Sequence, residues 1–300
     1  MIVLNILLKF KDVFNSLQKR NIHIIIALLP LLLFGFILFG VKALLVCFVC
    51  VASTVIFDYF VNLLLKNGLT DYSNSIVSGL FLGLMLPPTL PLYITVLGSA
   101  FSVFVVKLFL TSKNGFAVSP ALVSRVFLQL SFPKQMSLYL EPMVDVEASA
   151  TPLTHNIYNF KEVLFGVTSG SIGETSTILI ILCGLYLIWV KVVSFEIPLS
   201  FMLSAFVSAL IFGQSSVVTI LLGSLIFTSF FMGVEGINQP KNRLGKILFG
   251  VGCGVLTVII RDFGNISEGT SYAVVFMSLI VPLIDKIKFG VRKVESSNEI

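Results

Sequence analysis

The chain alternates long, charge-free apolar runs with short polar breaks, and the spacing of the breaks predicts the elements. Residues 21–41 carry no charge, and residues 43–65 carry only Asp58. The uncharged run 72–106 spans 35 residues. That is too long for one crossing at about 20 residues per helix. Its "LPPTLP" at 86–91 removes backbone donors and blocks helix, leaving segments near 74–86 and 91–111. A fifth segment covers 119–132, and a polar stretch follows at 133–160. Further segments begin near 174, 197, 216, 243 and 270, because "GQSS" at 213–216 divides the uncharged run 197–234. The pattern predicts an all-α polytopic membrane protein of about ten transmembrane helices.

Five segments precede the polar stretch and five follow it. An odd number per half makes the halves enter the bilayer from opposite sides, which predicts an inverted repeat. The organisation expected is a cytoplasmic amphipathic segment at 1–20, a first five-helix half at 21–132 and an outer-face loop at 133–160. A second half at 161–285 and a cytoplasmic tail at 286–300 complete it. With the N-terminus inside, 15 of the 20 Lys and Arg fall at inner ends, as the positive-inside rule requires. Both termini are then cytoplasmic, and the 133–160 loop is external.

Composition narrows the class. Hydrophobic residues make up 56% and charged residues 12%, with mean hydropathy +1.02, whereas soluble domains carry about 25% charge. The net charge of +5 follows from the inner-end lysines and arginines and carries no case for nucleic acid. The first twenty residues mix apolar positions with Lys9, Lys11, Lys19 and Arg20 and lack a small-residue cleavage site, which reads as a surface helix rather than a cleaved leader. Cys47, Cys50, Cys183 and Cys253 all lie in apolar runs, where thiols act as small buried hydrophobes. His23 and His155 lack companions for a metal.

Candidate chemistry sits where polarity interrupts the apolar runs. "SGSIGETS" at 169–176 opens a helix with Gly170, Gly173 and Glu174. Backbone amides there could converge on an anion or a planar ligand, or Thr168 or Ser171 could cap an ordinary helix that Glu174 complements. Asp58 and Arg125 lie inside predicted spans, where charge is costly and usually paired or functional. Asp285 follows Pro282 near an inner end, where a solvated cap is equally consistent.

The motifs "GLFLGLMLPPTLPLY" (79–93), "SPALVSRVFL" (119–128), "SATPL" (149–153), "GSIGETSTILIILCGLYLI" (170–188) and the run 245–285 resemble the D subunit of the Rnf electron transport complex. The related B subunit of the sodium-translocating NADH:quinone reductase is longer. The resemblance covers about residues 20–290. It implies a ten-helix membrane subunit of an ion-translocating ferredoxin:NAD+ oxidoreductase, relaying electrons coupled to Na+ or H+ movement without a complete active site of its own. It implies FMN held as a phosphoester on Thr151, which follows Asp145 by six positions as in the family. Gly170, Gly173, Glu174 and Arg125 would then surround flavin, and Asp58 and Glu174 would lie on an ion path. A further non-covalent riboflavin is left open. The implied partners are the other Rnf subunits, including the flavin-bearing G subunit and the membrane-embedded A and E subunits, together with a flavin transferase and the prokaryotic cell membrane.

The chain departs from the family pattern at Ala148-Ser149, at Ser119 before Pro120, at Met277-Ser278 and in the inner loop 233–246. Two other readings stay open on sequence: a relative of the quinone reductase B subunit, and a non-redox small-solute transporter or channel.

Overall fold

The computed structural model describes residues 2–64, 72–109, 111, 112, 115, 116, 118–142, 147, 148, 160–213, 224–233, 235, 239–264 and 268–286. Helices dominate. The first is α1 (Ile2–Phe39), which runs unbroken from the predicted surface segment into the first apolar run. Then come α2 (Val41–Leu64), α3 (Ser73–Leu84), and α4 (Leu92–Phe101), which continues as a π-helical turn over Ser102–Lys107. A two-residue hairpin, β1 (Thr111–Ser112) with β2 (Gly115–Phe116), leads to α5 (Pro120–Ser131) and the single turn α6 (Pro133–Met136). Strands β3 (Tyr139–Leu140) and β4 (Glu147–Ala148) pair antiparallel inside the polar stretch. The remaining helices are α7 (Phe160–Phe165), α8 (Thr177–Trp189), α9 (Glu196–Ile211), α10 (Ser224–Phe231), α11 (Arg243–Gly264) and α12 (Gly269–Lys286).

Four of these are long and apolar enough to cross a membrane: Lys19–Phe39 of α1, α2, α11 and α12. Among the described residues, the segments predicted near 74–86, 91–111, 119–132, 174 and 197 are helical but shorter. The 12 residues of α3 rise about 18 Å, against a hydrocarbon core of about 30 Å. Proline sets that length, since Pro87 and Pro88 end the helix beyond Met85.

Helix packing follows side-chain size. In α11, Gly250 and Gly254 lie one turn apart, and a Cβ at either would strike Ser200 or Ser204 of α9. Small residues let two backbones approach where lipid supplies no hydrophobic drive between helices, and α9 and α11 accordingly form the most extensive helix pair. Elsewhere α2 packs on α3 and α4, α1 on α3, and α5 on α3 and α4. In the later half α9 packs on α10 and α11, α8 on α10, and α12 on α10 and α11. Contacts of α1 with α8 and of α5 with α12 join the two halves. The core includes the stacked rings of Phe81, Phe227 and Phe231.

Candidate functional site

The start of α5 sets the position of the most buried charge. The Ser119 hydroxyl accepts from the Leu122 N–H at 3.1 Å, and Pro120 fills the first helical position, where its missing N–H costs nothing. One turn further, Arg125 is 1% exposed. Its guanidinium forks onto Glu174, with Nη1 donating to Oε1 and Nη2 donating to Oε2 at 2.9 Å. Nη2 also donates to Glu268 Oε2 at 2.7 Å and to Ser171 Oγ at 3.3 Å. Bidentate charge-assisted pairs of this kind are strong and geometrically specific. Arg261 of α11 adds a second positive charge within electrostatic reach of both carboxylates and donates to Thr270 Oγ1 at 3.2 Å. The centre therefore ties the first half of the chain to two separate segments of the second.

The approach to α8 is held by its own backbone. Ile172 N donates to Leu86 O at 3.1 Å, and Gly173 N donates to Leu84 O at 2.7 Å. A Cβ on Gly173 would lie 2.8 Å from Leu84 Cβ, so glycine here permits two loops to cross. These two amides are satisfied within the protein. Gly170 differs: an added Cβ would meet only Thr175 Cγ2, at 3.6 Å. The cap of α8 is Ser176, whose hydroxyl accepts from Leu179 N at 3.4 Å, rather than Thr168 or Ser171. Glu174 is buried beneath that cap and is not the exposed dipole partner that one sequence reading allowed.

The polar stretch reaches the same centre. In the β3–β4 pair Tyr139 sits opposite Ala148 and Leu140 opposite Glu147. Tyr139 is 3% exposed, hydrogen-bonds the Ser171 side chain, and interacts with Glu268, Arg125 and Glu174. Burial, reinforced by Glu268, pushes its phenol above the ordinary range, so it stays protonated. Thr151 lies outside the described residues, three positions beyond Ala148.

Asp58 falls in a separate cluster. It is buried in α2, accepts from the Ser75 hydroxyl, and pairs with Lys107. A fourth carboxylate, Glu235, is 6% exposed at the start of α5, accepting from Ser119 Oγ and from Ala121 N at 3.2 Å. Burial pushes its carboxyl up to about 7. Asp285 accepts from Lys241 N at 3.0 Å near the start of α11. His23 Nδ1 lies 2.8 Å from the Tyr186 hydroxyl, and the four cysteines are free and buried.

Glu268, Glu235 and Lys107 were not singled out from sequence. A signal existed for Glu268: "EGTS" at 268–271 nearly repeats "GETS" at 173–176, each placing a carboxylate at a helix start. Glu235 and Lys107 sit in stretches that read as a polar loop and an inner-end charge, and only the tertiary contacts distinguish them.

A helical membrane protein with half-length helices at its core and a fully buried ion cluster joining its halves is the class that fold and site define. Residues 11–290 match the NQR2, RnfD, RnfE family profile, and the chain belongs to that family. It is 34% identical over 289 residues to the D subunit of the Na(+)-translocating ferredoxin:NAD(+) oxidoreductase complex of Acetobacterium woodii, covering 91% of each chain. Against the D subunit of the proton-translocating ferredoxin:NAD(+) oxidoreductase complex of Clostridium ljungdahlii it is 31% identical, covering 93% of each. The D subunit of the ion-translocating oxidoreductase complex of Stutzerimonas stutzeri is 28% identical, with 91% of each chain covered.

Proposed function

We propose that this chain is the membrane-embedded D subunit of an ion-translocating ferredoxin:NAD+ oxidoreductase, carrying FMN as a phosphoester on Thr151 and serving electron flow coupled to Na+ or H+ movement. Family membership and full-length similarity to subunits of that name support the reading. The observation that carries the site is the β3–β4 ladder. It fixes Ala148 opposite buried Tyr139, so Thr151 can stand no more than about 10 Å of extended chain from that anchor.

The residues fit a flavin on that loop. Thr151 offers a hydroxyl among small residues, and Gly170 offers backbone without a side chain, where an added Cβ would meet Thr175 Cγ2 only at 3.6 Å. Arg125 does not reach a ligand with its terminal nitrogens, which are committed to Glu174, Glu268 and Ser171. It acts on the loop through its field, in a low-dielectric setting where charge carries far. When bound, the flavin supplies one- and two-electron redox chemistry. The chain anchors the loop through Tyr139, holds compensated charge beneath it, and keeps that charge from water. A non-covalent riboflavin belongs to the same reading.

The ten-span, inverted-repeat plan is part of this proposal. The pairings α2–α3, α2–α4, α1–α3, α3–α5 and α4–α5 recur in order as α9–α10, α9–α11, α8–α10, α10–α12 and α11–α12. That correspondence supports two five-helix halves, and the odd count inverts one of them. The basic residues then place both termini in the cytoplasm of a prokaryotic cell and the Thr151 loop outside, open to a flavin transferase and to the flavin-bearing G subunit. The A and E subunits are the expected membrane neighbours, and Asp58 and Glu174 are assigned to an ion path.

Flavin fluorescence retained by the denatured polypeptide on a gel tests the assignment. Thr151→Ala should give inserted protein without that fluorescence. Fluorescence persisting in the variant would move the attachment, with Ser149 the first residue to test next.

A further inference from the structure

The Asp58 cluster has the features of a cation seat. The Asp58 carboxylate is 1% exposed, and the Ser75 hydroxyl donates to Oδ2 while the Lys107 ammonium sits on Oδ1. Lys107 is partly exposed and ends the π-helical turn Ser102–Lys107. π-turns are rare in helices and frequent at functional sites. Beside the pair lies a small cleft, partly open to solvent, lined by Thr54, Asn74, Ser75, Ser78, Ser102 and Lys107.

The lining favours a cation. Thr54 gives its hydroxyl proton to Cys50 O at 2.7 Å, and Ser75 gives its proton to Asp58. Each then has only oxygen lone pairs left to offer. A single carboxylate with hydroxyl oxygens suits a hard monovalent ion. Among the described residues no group of three His, Cys, Asp or Glu could hold a metal ion, which speaks against a divalent or transition metal here.

We propose that this cleft seats one hard monovalent cation on Asp58, Ser75 and Thr54, and that the Lys107 ammonium is a tethered competitor that neutralises Asp58 while the seat is empty. The proposal deepens the assignment of Asp58 to an ion path and rests on it. Arrival of an ion releases Lys107 toward solvent, and departure lets it return, so the buried carboxylate is never left unpaired. An uncompensated charge at this depth would be strongly destabilising. Lys107 is thus a specificity and release element rather than a ligand.

The test is equilibrium binding of radioactive Na+ to the purified, detergent-solubilised complex without electron donors, measured against choline as the non-binding cation. Removing the competitor in Lys107→Met should lower the half-saturating Na+ concentration about tenfold, the equivalent of 1.4 kcal/mol. Lys107→Arg keeps a tethered cation and should stay near wild type. Asp58→Asn should lose the saturable component. An unchanged half-saturation in Lys107→Met, or saturable Na+ binding retained in Asp58→Asn, would overturn the proposal. If Lys107→Met does not assemble, the Asp58→Asn result decides alone. Gel flavin fluorescence on the same samples separates the two claims. Asp58-dependent binding without covalent flavin sinks the redox assignment and spares the seat, and flavinylated protein without such binding does the reverse.

Discussion

Arg125 illustrates how a single residue constrains the rest. Buried ion pairs gain little over apolar packing, but removing one partner strands the other, at a cost of about 3–5 kcal/mol. Arg125→Met leaves Glu174 and Glu268 facing each other, and we expect a loss of that size in thermal unfolding of the purified protein. Arg125→Lys keeps the charge but cannot span both carboxylates as a fork, so its loss should be intermediate. A melting temperature unchanged in Arg125→Met would mean that the fork carries no stability. Glu235 gives a pH-dependent counterpart. Burial raises its carboxyl to about 7 from an ordinary value near 4.3, so the folded state favours the protonated form. Its contribution is fully present below the unfolded value and is lost as pH rises through about 7. Wild-type stability should therefore fall between about pH 4.3 and about 7, by at most about 1.4 kcal/mol per pH unit from one proton. Glu235→Gln should flatten that slope, and an unaltered slope would assign it to another group. At this scale the sequence exposed Arg125, Asp58 and Glu174 because charge inside an apolar run is conspicuous. Which carboxylates would meet Arg125 was not legible, since Glu268 lies 143 positions away.

Among the elements, helix positions followed from the hydrophobic pattern, and their lengths followed only in part. Apolar composition separates membrane segments from loops but does not separate a full crossing from half of one. The "LPPTLP" break was legible because proline ends helices for steric reasons. The close approach of α9 and α11 depends on Gly250 and Gly254, a spacing present in the sequence but ambiguous until the partner helix is known. Gly254→Leu should separate those helices, because its side chain must displace Ser204 and the Phe201 carbonyl. Overpacking of this kind costs about 1–3 kcal/mol or more. Thermal unfolding of that variant should show it, while Gly40→Leu, with no atom within 4 Å of its added Cβ, reports only the strain of its positive φ. Equal losses in the two would remove the packing argument.

At the level of the whole molecule, the proposed orientation rests on the distribution of Lys and Arg and on the odd count of segments per half that the sequence predicts. A single cysteine at Ser137, in a background without the four native thiols, should react with an impermeant maleimide from outside intact cells. One at Asn242 should react only after the membrane is opened. The reverse labelling would put the Thr151 loop in the cytoplasm. In the proposed function that loop, the buried Arg125–Glu174–Glu268 centre and ion movement are coupled. Glu174→Gln tests this most directly, because Gln retains an oxygen for Arg125 while removing the charge. The measurement is ferredoxin-dependent NAD+ reduction and ion uptake by membrane vesicles carrying the complete complex, with flavinylation read from the same preparation. The variant complex should assemble and keep covalent flavin but move fewer ions for each NAD+ reduced. Wild-type ion uptake per NAD+ reduced in Glu174→Gln would contradict a coupling role for this centre.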